Sequence, residues 1–311
     1  MLIISDEKIR ENLSYPGLID ALKRIFQSNY TMPLRHHHFY KTAEGKDNTL
    51  ILMPVWNHDF IGMKQVTVAP ANTELGIPSI FARYILSNAR TGEPLAMMNA
   101  AELTSRRTAC TSALAADYLA RKNAKNLLIV GSGKVAQHLA FAYAAVRQLE
   151  KISIWARNTE KMHAMVAELQ AAGLPAQAAE NLETAVKEAD VVSCATLSET
   201  PIIKGAWVQE GTHLDMIGSH KPNTREADNE ALLKSTVFVD SRMGALHETG
   251  DLAIPIAEGI FKEEQVKADI TELIRGEHPG RSNEKEITFF KSAGLAVEDL
   301  AAALLVYEQC R

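Results

Sequence analysis

Residues 126–146 read NLLIVGSGKVAQHLAFAYAAV. A short apolar strand runs into Gly131-x-Gly133-x-x-Ala136, and a helix-forming stretch follows at once. Few local geometries accept that order. The glycines permit a tight turn and a close approach of backbone to ligand, and the helix N-terminus behind them carries partial positive charge. Between a strand and a helix the motif points to the pyrophosphate of a dinucleotide; a purely structural glycine turn is the alternative. The rhythm downstream favours the dinucleotide. "KISIWA" reads as a second strand and "NTEKMHAMVAELQAAG" as its helix, and "ADVVSCAT", "THLDMIG" and "STVFVD" supply further buried strands. Alternation of this kind predicts an α/β, Rossmann-type doubly wound parallel sheet.

Upstream the pattern is different. Residues 5–29 read as helical with a restart at Pro16-Gly17, after which Leu18, Ile19, Leu22 and Ile25 fall at helical spacing. Residues 48–90 are rich in strand-like runs separated by turn residues. A helix over 104–120 then carries Ala109, Ala113, Ala116 and Ala120 on one face, a surface suited to close packing. With 311 residues, the chain exceeds the size of a typical single core, so two domains are expected.

The end of the second strand separates the two nicotinamide dinucleotides. An NAD site offers Asp or Glu there to the ribose 2′-hydroxyl. This chain reads Trp155-Ala156-Arg157-Asn158-Thr159, with no carboxylate and with an arginine suited to a 2′-phosphate. NADP(H) is therefore the expected cofactor, with NAD(H) possible; the alternative for Arg157 is a solvated loop residue.

Three cations stand on three separate segments before the glycine turn. Lys64, in "IGMKQVTV", shares a strand face with Val66 and Val68. A lysine there either meets a charge or snorkels at a sheet edge. Arg107 sits in "TSRRTA" and Arg35 in "MPLRHHH". Such a trio suggests a carboxylate-binding pocket. His36, His37 and His38 do not read as a metal site: consecutive residues of a strand point to opposite faces, so at most two could share one, and no acid or cysteine has convincing spacing. No metal is expected.

Composition narrows the partners. A net charge of −5 leaves no basic surplus for nucleic acid. No run approaches the roughly 18 apolar residues of a membrane span, and "MLIISDEKIRENL" is too acidic for a signal peptide. Cys110, Cys194 and Cys310 are odd in number and far apart, which fits reduced thiols in a cytoplasmic protein.

Several segments resemble the ornithine cyclodeaminase/mu-crystallin family: "LMP" (52–54), "GMKQVTVAPAN" (62–72), "TGEPLAMMNAAELTSRRTACTSALAADYLA" (91–120), "GSGKVAQ" (131–137), "IGSHKPNTREAD" (217–228) and "KSAGLAVEDLAAALLVYE" (291–308). They span nearly the whole chain in the family's order. The resemblance implies a smaller α+β substrate and dimerisation domain over 1–118, to which 293–311 return, and a Rossmann domain over 119–292. It implies a homodimer and a small amino-acid or cyclic imino-acid substrate. By position, Arg35, Lys64 and Arg107 match the groups that hold the substrate carboxylate. Gly131, Ser132, Gly133 and Val135 match the pyrophosphate turn, with Thr108 also on the cofactor side. Arg157, Asn158 and Thr159 match the segment at the adenosine ribose. Thr196, Ile217, Gly218 and Ser292 match positions near the nicotinamide.

Three departures bear on the reaction. The loop after the "IG" strand carries a working aspartate in the cyclodeaminases, and this chain has His220 there. The glutamate that precedes "LMP" in cyclodeaminases is Ile51. The acid expected after the second strand for NAD is absent. These departures fit the NADPH-dependent ketimine reductases of the family, which convert Δ1-pyrroline-2-carboxylate to L-proline and Δ1-piperideine-2-carboxylate to L-pipecolate. On that reading Lys64 and His220 are the catalytic candidates: Lys64 holds the substrate, and His220 either protonates the imine or lines the pocket. Ornithine cyclodeaminase, an amino-acid dehydrogenase, and a non-catalytic NADPH-binding protein like mu-crystallin are the alternatives.

Overall fold

The computed structural model describes residues 1–219 and 221–311. In chain order its first elements are β1 (Leu2–Ile4), α1 (Asp6–Asn12), α2 (Tyr15–Gln27), β2 (His36–Lys41), β3 (Asp47–Trp56), β4 (Phe60–Val68), β5 (Ile80–Asn88), β6 (Pro94–Asn99) and the long helix α3 (Ala100–Leu119). The strands form one sheet in the order β1-β6-β5-β4-β3-β2. Its pairs are antiparallel except β1 with β6. The helical restart falls at Leu13–Ser14, earlier than Pro16-Gly17. Ser14 caps α2 by accepting from the Gly17 N–H, and Pro16 lies in the first turn, where its missing donor costs nothing.

The second series is β7 (Asn126–Val130), α4 (Lys134–Val146), β8 (Lys151–Trp155), α5 (Thr159–Ala171), β9 (Ala176–Ala178), α6 (Leu182–Glu188), β10 (Val191–Cys194), β11 (His213–Met216), α7 (Asn229–Leu233), β12 (Thr236–Val239), α8 (Arg242–Glu248), α9 (Gly250–Ala257), β13 (Val266–Asp269), α10 (Ile270–Ile274) and β14 (Thr288–Lys291). Its strands form an all-parallel sheet in the order β13-β12-β14-β11-β10-β7-β8-β9. A closing helix, α11 (Ala296–Cys310), follows. The strands β10, β11 and β14 are buried throughout, as befits a parallel sheet covered on both faces. From β7 the chain moves to β8 on one side and later to β10 on the other. The C-terminal ends of β7 and β10 therefore flank a topological switch point, where open α/β sheets bind ligands.

Two compact units result: Met1–Arg107 with Leu295–Arg311, and Thr108–Gly294. The division falls inside α3, earlier than the 118/119 boundary that the resemblance implies. The second half of α3 is tied into the parallel-sheet unit by specific bonds. Ser112 Oγ donates to Asp215 Oδ1 in β11 at 3.0 Å, and the Leu119 carbonyl accepts from Thr288 Oγ1 in β14 at 2.9 Å. Asp215 is fully buried and also accepts from Tyr143 Oη at 2.9 Å and Ser193 Oγ at 2.5 Å. Burial lifts its carboxyl to about 6 in spite of these hydroxyl donors.

No helix among the described residues is long and apolar enough to cross a membrane. The three cysteines are free thiols.

Candidate active site

In the first unit, β4 places Lys64 opposite Met53 of β3 and Tyr84 of β5. All three side chains turn to the buried face, which α11 packs against. Lys64 is 2% exposed. Its ammonium does not snorkel; it meets Asp299 Oδ2 at 2.6 Å. Arg107 Nε donates to Asp299 Oδ1 at 3.1 Å, and its Nη1 donates to Glu298 Oε2 at 2.5 Å. Both acids belong to the first turn of α11, where the helix dipole helps to stabilise buried negative charge. Arg35 is close enough for its charge to act on Lys64. Three cations thus face two carboxylates, a formal surplus of one positive charge.

That surplus has a measurable consequence. Burial is the largest influence on Lys64 and lowers its pKa; Arg107 and Arg35 push the same way, and Asp299 opposes them. The outcome is a lysine at about 8. Arg107 also resists burial, but Asp299 and Glu298 outweigh it and hold the guanidinium firmly charged. The Tyr84 hydroxyl is fully buried and has no hydrogen-bond partner among the described residues. It fits only because position 62 is glycine: a Cβ there would stand 1.9 Å from the Tyr84 oxygen. The G-M-K stretch is therefore a packing device that seats a phenol beside an ammonium.

The second unit holds the glycine turn. Gly131 has φ of +126°, and a Cβ on it would lie 2.7 Å from the Ala195 carbonyl oxygen in the loop after β10. Only glycine fits that close approach. Gly133 is the N-cap of α4, with φ of −84° and no side-chain cap. A Cβ there would meet nothing within 4 Å. The turn thus presents an open, uncapped helix N-terminus next to the switch point, with Ser132 half-buried, Val135 half-buried and Ala136 packed inside. This is the cradle that a pyrophosphate requires, so the residues fit a dinucleotide.

At the end of β8, Ala156 is buried while Arg157, Asn158 and Thr159 are exposed. The Asn158 side chain caps α5 by accepting from the Lys161 N–H, a structural task beside the expected ribose contact. The nearest acid, Glu160, is exposed in the first turn of α5. Thr108 is buried at the head of this unit. Thr196, Ile217 and Gly218 follow the ends of β10 and β11 and are half-buried. Ser292 is 2% exposed, and its hydroxyl donates to Asp240 at 3.2 Å. His220 lies outside the described residues. Among the described residues no group of three or more His, Cys, Asp or Glu side chains could hold a metal.

Two sets of functional groups went unassigned in the sequence. Glu298 and Asp299 were visible only as adjacent acids in an alanine-rich helix. Glu226, Asp251 and Lys291 form a second buried charged group. Thr196 N–H, Thr196 Oγ1 and Gly218 N–H donate to the Glu226 carboxylate, and Lys291 pairs with Asp251 at 3.1 Å. The signal for Lys291 was a lysine ending the apolar run Thr288-Phe289-Phe290.

Comparison with known proteins places these features in a lineage. The model of the ornithine cyclodeaminase/mu-crystallin family matches residues 2–311. A Δ1-pyrroline-2-carboxylate reductase of Bacillus thuringiensis subsp. konkukian is 38% identical over 319 residues, which cover 99% of this chain and 96% of the relative. The structure of Thermococcus litoralis Δ1-pyrroline-2-carboxylate reductase, in complex with NADH and L-proline, superposes with a TM-score of 0.92 at 33% identity; the match covers 100% of this chain and 97% of that one. An archaeal alanine dehydrogenase dimer with bound NAD superposes equally well, with a TM-score of 0.92 at 31% identity over 100% and 96% of the two chains.

Proposed function

The chain belongs to the ornithine cyclodeaminase/mu-crystallin family, and we propose that, as an NAD(P)H-dependent oxidoreductase acting on a C=N bond, it reduces Δ1-pyrroline-2-carboxylate to L-proline. The observation that carries this reading is the buried Lys64–Asp299–Arg107–Glu298 cluster, in a chain matched end to end by a reductase solved with NADH and L-proline. With Arg35 counted, three cations face the two carboxylates, and the single surplus positive charge suits a substrate with one carboxylate. Ile51 and His220 stand where a cyclodeaminase would carry acids, which supports reduction over deamination. The six-membered analogue, Δ1-piperideine-2-carboxylate, offers the same carboxylate and C=N bond and belongs to the proposed range.

A bound nicotinamide dinucleotide supplies the hydride. The chain's own groups do the rest. Lys64, Arg107 and Arg35 bind the carboxylate and so fix the position of the ring; such positioning is a large part of the barrier reduction in hydride transfer. Gly131, Gly133 and the start of α4 hold the pyrophosphate. His220 donates the proton that makes the imine a better hydride acceptor. His220→Ala should lower kcat by about 10²-fold and remove the alkaline limb of its pH profile, since a donor is active only while protonated; an unchanged rate and profile would take that role from His220. Chiral chromatography of the product, with L-proline expected, tests the reaction itself. Comparable NADPH consumption with pyruvate and ammonia would favour the dehydrogenase reading that the alanine dehydrogenase likeness supports.

The preferred cofactor in this proposal is NADPH. Exposed Arg157, with no carboxylate from Trp155 to Thr159, supports it, although the two superposed structures hold NADH and NAD. Arg157→Asp should reverse the ratio of kcat/KM for NADPH over NADH, with a loss of about 10²-fold for NADPH. An unchanged ratio would mean that the 2′-phosphate is read elsewhere.

The protein is further proposed to act as a cytoplasmic homodimer. The face of the first sheet opposite Lys64 exposes Trp56, Ile61, Phe81 and Ile85. Such a patch is larger than isolated surface apolar residues and is the form of an association surface. Ile85→Lys should convert the dimer to a monomer in light scattering coupled to gel filtration.

A further inference from the structure

Glu226 belongs to none of the groups that, by position, bind substrate or touch cofactor, yet it is fully buried. It follows the strand β11 by a loop and points back toward the sheet's C-terminal edge. Its Oε1 accepts from the Thr196 N–H at 2.7 Å and from Thr196 Oγ1 at 2.8 Å. Its Oε2 accepts from the Gly218 N–H at 2.6 Å. One carboxylate thus fastens the loop after β10 to the loop after β11. The fit is close: a Cβ on Gly218 would lie 1.8 Å from the Thr196 carbonyl oxygen. The first of these loops also touches the glycine turn, since the space beside Gly131 is closed by Ala195 O and Thr196 Cγ2.

Glu226 is itself held. The Asp251 Oδ1 atom accepts from the Glu226 N–H at 2.8 Å and from the Ala227 N–H at 3.1 Å. Asp251 Oδ2 pairs with Lys291 at the end of β14 at 3.1 Å, with both side chains fully buried. Four segments beyond the sheet's C-terminal edge are therefore joined by two carboxylates and one ammonium. Parallel sheets bind nucleotide at this edge, next to the switch point.

We propose that Glu226 is a positioning residue for the nicotinamide cofactor, fixing the loops after β10 and β11 in the geometry that receives it. This rests on the nicotinamide-dependent reading above and adds a residue to it. The hydrogen-bond pattern explains why a charged carboxylate is needed. Three donors converge on its oxygens, so a proton on either oxygen would face a donor and break one contact. The groups facing it among the described residues are Cys194 and Thr196 from β10 and its loop, Gly218 after β11, Asp251 of α9 and Lys291 of β14. Arg225 is engaged elsewhere, with the Ala227 carbonyl and Asn229. Burial raises the Glu226 carboxyl most, the Asp251 charge adds to this, and Lys291 opposes it, which leaves the group near 7. The clasp is thus complete above neutrality and opens as pH falls through it.

The test is fluorescence titration of the full-length protein with NADH, whose lack of a 2′-phosphate removes a competing ionisation, between pH 6 and pH 9. The unaltered protein should bind NADH about 10-fold more weakly at pH 6 than at pH 8.5, the effect of one lost hydrogen bond to a charged group. Glu226→Gln, nearly isosteric, should bind about 10-fold more weakly at pH 8.5 and lose the pH response. Glu226→Asp keeps the charge and should keep the pH response. Thermal melting of each variant separates loss of fold from loss of affinity. Unaltered affinity and pH response in Glu226→Gln would overturn the positioning role alone, as would a flat profile in the unaltered protein. Failure of the unaltered protein to bind either NADH or NADPH would overturn the cofactor reading along with it.

Discussion

Lys64→Ala should lower kcat/KM for Δ1-pyrroline-2-carboxylate by about 10²–10³-fold, the effect of removing a buried charge-assisted contact of about 3–4 kcal/mol. The cause is local. Lys64 lies at the centre of a cluster in which Asp299 bridges it to Arg107. Alanine would remove the surplus positive charge that suits a carboxylate and would leave Asp299, fully buried, with Arg107 as its remaining cation. The loss should fall mainly on KM, because the ammonium binds a group that does not react. A conservative variant sharpens the point. The Lys64 pKa is lowered by burial from 10.5 to about 8, so the ammonium is present below that pH and lost above it. Activity at low substrate concentration should therefore decline as pH rises through about 8. Lys64→Arg keeps its charge at any such pH, and its profile should lose this alkaline limb. Steady-state kinetics across pH 6–10 would show both effects. Ordinary kinetics in Lys64→Ala would remove the cluster from the substrate site.

Gly133→Ala and Gly131→Ala should separate stability from cofactor binding at a single turn. A methyl on Gly133 meets no protein atom within 4 Å, and its φ of −84° suits any residue. The fold should be untouched, with a melting temperature close to that of the unaltered protein. The methyl would nevertheless occupy space at the helix N-terminus where a pyrophosphate must approach the backbone. Affinity for NADPH should fall by about 10²-fold, comparable to about 3 kcal/mol. Gly131→Ala differs because its φ is +126° and its methyl would collide with the Ala195 carbonyl. Strain of about 1–3 kcal/mol should lower the melting temperature as well as the affinity. Fluorescence titration paired with thermal melting distinguishes the two. Equal affinity in Gly133→Ala and the unaltered protein would mean that no phosphate sits on α4.

The parallel-sheet half was legible wherever an apolar run preceded a helix-forming run. Residues 126–130, 151–155, 191–194, 213–216 and 236–239 are strands where the alternation placed them. The strands Ala176–Ala178, Val266–Asp269 and Thr288–Lys291 were not anticipated. Val266–Asp269 alternates apolar Val266 and Ala268 with polar Lys267 and Asp269, unlike the continuous apolar runs within 126–130 and 236–239. Thr288–Lys291 also lies between β11 and β12 in the sheet, a placement that no local pattern encodes. The glycine turn was readable because its chemistry is contiguous in sequence. The cation cluster was only half readable. Lys64 among valines left both a buried charge and a snorkelling edge lysine open, and the identity of its counter-ion depended on the closing helix returning to the first sheet. Glu226 and Lys291 were hidden for the same reason, since the bonds that give them meaning join segments far apart in the chain.

Reduction of the cyclic imine consumes cofactor, whereas deamination of ornithine would not. It is tested most directly by following NADPH absorbance with Δ1-pyrroline-2-carboxylate, alongside a parallel reaction in which L-ornithine and NAD are assayed for ammonia. Stoichiometric NADPH oxidation is expected in the first and no ammonia in the second. Ammonia release from ornithine without net change in the cofactor, together with no NADPH oxidation by the imine, would contradict imine reduction.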